Sequence, residues 1–272
     1  MLKRGKLFLS FVSVLLLVFS LASCDSRTAS SPTASSPLDT RAGFFFDRQQ
    51  HSANWDRILQ SVNPDVKKVL SDYDYGVRTY VERVKERADV RAHGRDAAQK
   101  HANELENLQK MTYRELYRHF LALQEKTYLA GLNILENQTV SITGIEYESA
   151  PDDAYYIMGT VRNDSSFDYS GPTGAILEIE MEDGRVVTPR SISPGDGLIK
   201  KGEVIKFKRR LDSNHPGELL ASELARGKKL EARLELSTFS FRGADGVEQN
   251  VHGADQHRRI LQDIQAALKV LG

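Results

Sequence analysis

The chain has 272 residues and a single cysteine, which excludes an intramolecular disulfide and a cysteine-based zinc site. Its 37 basic and 37 acidic residues balance, so no net charge directs it to nucleic acid. A hydrophobic content of 40% and a charged content of 27% are typical of a globular protein with a sizeable core.

The N-terminus has the features of an export signal. Lys3, Arg4 and Lys6 precede a nearly unbroken apolar run over residues 7–19. That run is shorter than the ~20 residues that a permanent membrane helix needs. The sequence shortly after it, Leu21-Ala22-Ser23-Cys24, resembles the lipobox of bacterial lipoproteins. We therefore predict a lipoprotein signal peptide over residues 1–23, removed by cleavage before the cysteine.

The resemblance to a lipoprotein implies a lipidation site and a location. The Cys24 thiolate would take up diacylglycerol, and in this family the freed amine is often acylated too, with a fatty acid such as palmitate. Two or more chains hold a protein stably at a lipid bilayer. Asp25 resembles a sorting signal for the inner membrane, facing the periplasm, with the outer membrane as the alternative. An ordinary signal peptide with a chance cysteine, or an uncleaved membrane helix, is the competing interpretation.

A tether and a helical module are expected next. Residues 24–43 contain the lipidated cysteine and a stretch rich in Ser, Thr, Ala and Pro, which predicts a flexible tether. Over residues 44–137, apolar side chains recur at steps of three and four, which predicts amphipathic helices. Asn63-Pro64-Asp65 has the residue types of a helix start, with a cap, a first-turn proline and an early acid.

A second helix start is predicted at Thr112. Thr112 and Glu115 have the spacing of a capping box, in which each side chain binds the backbone amide of the other residue. Met111 and Leu116 have the spacing of the hydrophobic staple that accompanies such a box. A helix is therefore expected to begin here and to end near Asn137.

From about residue 139 the apolar period changes from 3.6 to 2, which predicts half-buried antiparallel strands. The strands are expected near 140–148, 155–163, 174–182, 185–190, 203–211 and 229–241, with a loop and short helix over 213–227. The turn Asp183-Gly184 predicts a hairpin. The expected fold class is α+β: an N-terminal helical module, an antiparallel Ig-like β-sandwich over 138–242, and a C-terminal amphipathic helix over 254–272.

Part of the β-region resembles FxLYD-type domains, which are small Ig-like sandwiches of exported prokaryotic proteins. The likeness lies in a strand and turn over 157–165, a hairpin over 177–187, and a Gly-Glu pair before a strand over 201–207. The aromatic residues of the namesake motif are absent from Ile179-Glu180-Met181-Glu182-Asp183. The resemblance implies a fold more than a function, because such sandwiches host unrelated roles.

No catalytic constellation is visible in the sequence. The seven histidines form no HExxH motif, no GxSxG elbow is present, and the one cysteine is assigned to the anchor. We therefore expect a protein without enzyme activity, metal site or cofactor. An enzyme whose site assembles only in the fold is a less favoured alternative.

Two basic stripes are the clearest candidates for contact with an anionic surface or partner. The first has four arginines at steps of four, as on one helical face: Arg83, Arg87, Arg91 and Arg95. The second has three basic residues on one face of a strand: Lys206, Lys208 and Arg210. Gly94 is expected to break or kink the first segment. The competing interpretation is structural, since acids neighbour the arginines and lysines commonly protect a sheet edge.

These patterns predict a membrane-anchored cell-envelope lipoprotein that acts as a non-enzymatic binding or assembly module. Its expected partners are the lipid bilayer, through Cys24, and another envelope protein. One alternative is a self-associating spacer or scaffold. Another is a small-molecule sensor whose ligand lies at the seam between the helices and the sandwich. The oligomeric state does not follow from the sequence.

Overall fold

A computed structural model describes most of the chain beyond its N-terminal segment. The described residues are 36–42, 48–89, 94–149, 151, 153–181, 183–188, 197–211 and 214–272. The predicted signal peptide, Cys24, Asp25 and Arg91 lie outside these ranges. Ser36–Gly272 form one compact unit.

Four α-helices precede the strands within the described ranges. They are α1 (Arg48–Ser61), α2 (Pro64–Arg87), α3 (Arg95–Lys110) and α4 (Tyr113–Glu136). A short 3-10 turn over Pro37–Asp39 comes before them. The prediction of a flexible tether over 24–43 is therefore wrong for residues 36–42, because Leu38 and Ala42 are buried in the helical core. Across the part of the chain that the structure describes, no helix combines the length and the apolar character that crossing a membrane requires.

The helix starts lie where the capping residues predict them. Asn63 Oδ1 accepts a hydrogen bond from the Val66 amide at 2.9 Å. At the start of α4, Thr112 Oγ1 accepts from the Glu115 amide at 3.2 Å, while Glu115 Oε2 accepts from the Thr112 amide at 2.8 Å. The predicted capping box is therefore confirmed, and α4 begins with two of its free amides satisfied.

Removing this cap is expected to destabilise the fold moderately. Thr112→Ala takes away the acceptor for the Glu115 amide and should lower the free energy of unfolding by about 1 kcal/mol. Thr112→Ser keeps a hydroxyl at the same place and should retain most of the stability. Urea denaturation followed by circular dichroism compares the two variants, and equal losses in both would argue against a capping role.

The strands of the described residues form two antiparallel sheets. They are β1 (Gln138–Glu148), β2 (Ala154–Asn163), β3 (Tyr169–Glu180), β4 (Val186–Val187), β5 (Leu198–Ile199), β6 (Val204–Arg210), β7 (Glu231–Arg242) and β8 (Glu248–His252). The smaller sheet has the order β1-β2-β6. The larger has the order β4-β3-β7-β8, with β5 also paired to β3. The arrangement resembles a sandwich.

The predicted period of two matches the burial along β3. Leu177 and Ile179 are fully buried, whereas Glu178 and Glu180 between them are exposed. Leu177 pairs across the sheet with Leu234 of β7. Because successive side chains point to opposite faces, one face of the sheet enters the core and the other meets water.

Two further helices follow within the described ranges, α5 (Asn214–Ala225) and α6 (Ala254–Leu271). One apolar cluster joins both sheets to α5, and a second joins the N-terminal helices to α6. Helix α4 contributes to both clusters, with Leu116 in the helical one and Ile134 in the sheet one. It therefore connects the two halves of the fold.

The predicted α+β fold class is confirmed, with its helical N-terminal part, antiparallel sheets and C-terminal helix. Two strands were not expected. β5 has only two residues, which is too short to show an alternation, and β8 follows the tight turn after β7. β4 is shorter than the expected strand at 185–190, with Val186–Val187 as its bounds.

Candidate functional site

The structure divides the predicted arginine stripe between two helices. α2 ends at Arg87, and Arg95 begins α3. Gly94 precedes α3 with a φ of +78°, a left-handed conformation that a continuous helix does not contain. The prediction of one helical face with Arg83, Arg87, Arg91 and Arg95 is therefore wrong, and Arg91 lies outside the described residues.

Arg83 and Arg87 fasten α2 to the loop between β7 and β8. Arg83 Nη1 lies 3.6 Å from Asp245 Oδ2. Arg87 Nη1 donates to the carbonyl of Asp245 at 3.0 Å, and its Nη2 donates to the carbonyl of Gly246 at 3.4 Å. These two guanidinium groups therefore bind the protein itself, whereas Arg95 is exposed.

The basic face of β6 is exposed and partly neutralised. Lys206, Lys208 and Arg210 share this face, as the alternation predicted. Lys208 Nζ donates to Glu146 Oε2 at 2.8 Å and also binds Glu148, and it lies 5.1 Å from the ring centre of Tyr156. The hydrogen bonds that Lys208 donates to these carboxylates raise its pKa above the ordinary value.

A groove with polar walls lies at the seam where α2, α3 and α4 meet the β7–β8 loop. We call it the polar groove. It has a volume of about 620 Å³. Its lining includes Tyr80, Arg87, Lys100, His101, Asn103, Glu104, Asn107, His119, Leu123, Ala244 and Asp245. The two predicted basic stripes did not indicate this groove, although Arg87 of the first stripe is among its lining residues.

Four side chains in the polar groove form a continuous hydrogen-bond network. Tyr80 Oη donates to Glu104 Oε1 at 2.8 Å and lies 3.1 Å from His119 Nε2. His101 Nδ1 lies 3.2 Å from Glu104 Oε2. Since the single hydroxyl proton of Tyr80 is donated to Glu104, His119 must carry a proton on Nε2 to complete the second bond. The network links side chains of α2, α3 and α4 and so fixes the positions of these side chains in the groove.

Burial shifts the titration of two members of this network. It raises the pKa of Tyr80 well above its ordinary value, and the hydrogen bond to Glu104 adds to the effect. Burial also lowers the pKa of His119; Lys126 acts in the same direction, and the negative charge of Glu104 opposes them. Tyr80 is therefore neutral at physiological pH, and His119 favours its neutral form.

The shift of His119 predicts a loss of stability in acid. Because its pKa in the folded chain lies below the ordinary value of 6.5, the unfolded chain takes up this proton at the higher pH. The contribution to stability is complete above pH 6.5 and decreases as the pH falls through and below that value. An NMR titration should place the His119 midpoint below 6.5, and His119→Gln should reduce the acid sensitivity. A midpoint above 6.5 would contradict the assignment.

The chemistry of the polar groove favours recognition through hydrogen bonds. Amide, ammonium and imidazole groups offer donors, and Glu104 offers a carboxylate. No serine, threonine or cysteine is among the described lining residues. Within the ranges that the structure describes, no group of three or more His, Cys, Asp or Glu side chains is arranged to hold a metal ion.

Sequence reasoning missed the residues of this network. His101 and Glu104 are three positions apart on one helix, and that spacing is the one local signal that could have indicated a pair. Tyr80 and His119 are brought together from different helices, at positions 39 residues apart. Only the packing of α2 against α4 places them in contact.

No protein-family model matches this chain, and no curated protein matches it. Among solved structures, a Bordetella pertussis protein crystallised under the name ApaA is 13% identical, with a TM-score of 0.19 over 43% of this chain and 89% of that one. The Pseudomonas fluorescens alkylpurine DNA glycosylase AlkC, bound to DNA with an abasic site analogue, is 11% identical, with a TM-score of 0.15 over 78% and 53%. Scores this low carry no argument about fold or function.

Proposed function

We propose that this chain is a lipid-anchored protein of a bacterial cell envelope and acts there as a non-enzymatic binding or assembly module. The anchor rests on Leu21-Ala22-Ser23-Cys24 behind a charged and an apolar segment. Asp25 favours the inner membrane, facing the periplasm. The acylated Cys24 would hold the compact unit near the bilayer through the tether.

The observation that carries the binding role is the polar groove. Its network of Tyr80, Glu104, His101 and His119 fixes side chains from three helices. Arg87 holds the β7–β8 loop, which also lines the groove, by binding the Asp245 and Gly246 carbonyls. Because these side chains are already held in place, binding a partner would cost little conformational entropy at the groove, and this favours recognition.

The same geometry favours binding over catalysis. A nucleophile needs a neighbouring base that is free to take its proton. Here the Tyr80 hydroxyl is neutral and already donates to Glu104, so the groups satisfy one another. Exposed Lys100, Asn103 and Asn107 around this network offer further hydrogen bonds to a polar partner.

Site-specific photocrosslinking in intact membranes tests the proposal. A photoreactive side chain at Asn107 lies in the groove wall. The same group at Gln109 is exposed on the same helix and lies outside the groove, so it serves as the matched control. We expect a discrete adduct of defined mass from position 107 and none from position 109. Equal labelling from both positions, or none from either, would count against a docking role.

A small polar molecule is the second candidate for the groove. Its volume of about 620 Å³ lies within the range of roughly 300–1,000 Å³ that small-ligand pockets occupy. In that case native mass spectrometry of the purified protein would show a bound species of low mass, and the photoreactive group would label no protein.

Fewer basic side chains remain as candidates for contact with anionic headgroups. Arg83, Arg87 and Lys208 already bind groups of the protein itself. Arg95 and Lys206 are exposed and are the first positions at which such a contact should be sought.

A further inference from the structure

A second groove, which we call the apolar groove, lies beside the middle of α4. It has a volume of about 520 Å³. Its apolar lining includes Leu129 and Ala130 of α4 and Phe167 of the β2–β3 loop. Leu129 is 48% exposed and Phe167 is 39% exposed. Large apolar side chains exposed side by side in a concavity mark a binding surface more often than isolated ones do.

The walls of the apolar groove are held by specific hydrogen bonds. Asn133 Oδ1 accepts from the Ser166 amide at 2.9 Å, which ties the β2–β3 loop to α4. The Ala244 amide donates to Thr127 Oγ1 at 2.9 Å, which ties the β7–β8 loop to the same helix. The concavity is therefore part of the fold and does not depend on a chance arrangement of surface side chains.

Two cations also line the apolar groove. They are Lys126 and Arg242, and both are exposed. No acidic residue belongs to the described lining. In contrast to Lys208 and Arg258, each of which binds two carboxylates, neither forms an ion pair among the described residues. Asn133 also lines the groove. Its side-chain oxygen accepts from Ser166, and its NH₂ group is a hydrogen-bond donor that an anionic ligand could satisfy.

We propose that the apolar groove binds a long-chain carboxylate, that is, the anion of a fatty acid. The hydrocarbon chain would cover Leu129 and Phe167 and remove their apolar surface from water. The carboxylate would accept hydrogen bonds from Arg242 and Lys126, and a guanidinium can hold such a group with two parallel bonds. This site goes beyond the proposed binding role, because it shares Ala244 with the polar groove but none of its titratable residues.

Isothermal titration calorimetry with dodecanoate tests this inference. The protein used is the chain from residue 26 onward, which avoids lipid on Cys24 and retains the whole compact unit Ser36–Gly272. We expect saturable binding of dodecanoate and weakening by more than about tenfold in K126A/R242A. Leu129→Ser, which keeps both cations, should also weaken binding. Circular dichroism verifies that each variant is folded.

Matched controls separate recognition from adsorption. K67A/R259A removes one lysine and one arginine that are exposed elsewhere on the helices, and it should bind dodecanoate like the unaltered chain. Dodecyltrimethylammonium has the same chain with a cationic head and should bind far more weakly. Equal binding of the two amphiphiles would overturn the proposal. So would unchanged affinity in K126A/R242A, or binding to phosphatidylglycerol vesicles without binding to dodecanoate.

Discussion

Replacing Asp245 with alanine is expected to lower the free energy of unfolding by about 1.5–3 kcal/mol. The side chain is only 1% exposed. Its Oδ1 accepts from the Val247 amide at 3.0 Å, and its Oδ2 faces Arg83. Alanine would leave the Val247 amide without its acceptor and would remove the negative charge that lies 3.6 Å from the Arg83 guanidinium. Since this loop fastens the sheets to α2, we expect the loss in both urea and thermal unfolding.

Two companion variants identify the cause of this loss. Asp245→Asn keeps an oxygen for the Val247 amide and removes the charge, so its effect should be intermediate. Glu106→Ala removes a carboxylate from an exposed pair with Lys110 and should leave the stability nearly unchanged. A stability of Asp245→Ala equal to that of Glu106→Ala would show that the Asp245 side chain does not help to hold this loop against α2.

Replacing Gly159 with alanine is expected to cost about 1–3 kcal/mol through overpacking. Gly159 lies in β2, the central strand of the smaller sheet, between Ile142 of β1 and Phe207 of β6. An added Cβ would lie 2.5 Å from Phe207 Cζ and 2.6 Å from the backbone oxygen of Ser141. The phenyl ring can turn aside, but a backbone oxygen moves only with its strand.

Gly197→Ala is the matched control for this effect. A Cβ at Gly197 would meet no heavy atom within 4 Å, and the residue does not need a left-handed conformation. We therefore expect the stability of Gly197→Ala to equal or slightly exceed that of the native chain, because alanine restricts the unfolded state. Equal stability of both variants in denaturant titrations would contradict the close packing inferred at Gly159.

The features that local sequence could predict are those whose causes lie within a few residues. The capping box needs only Thr112 and Glu115, three positions apart, and it is present as expected. The strand β3 reveals itself by the alternation of Leu177 and Ile179 with glutamates. Such signals depend on backbone geometry alone, so they do not require knowledge of the partner strand or helix.

A site at the seam between the helices and the sandwich was among the alternatives, but the residues of the polar groove and the role of the arginines could not be predicted from local sequence. Arg87 and Asp245 are 158 residues apart, and their contact depends on how the β7–β8 hairpin packs against α2. Seen alone, a run of arginines at steps of four resembles a solvated helix face. In the fold, Arg83 and Arg87 bind the β7–β8 loop. No local sequence pattern indicates this contact, because its two sides are far apart in the chain.

The intact mass of the native protein extracted from membranes tests the lipid anchor at Cys24 most directly. We expect a chain that begins at residue 24 and carries a diacylglycerol thioether on Cys24, with further acyl mass on its amine. Cys24→Ser should then remain uncleaved and lack that mass. A native chain that begins at another residue, or one with an unmodified Cys24 thiol in the soluble fraction, would contradict the account.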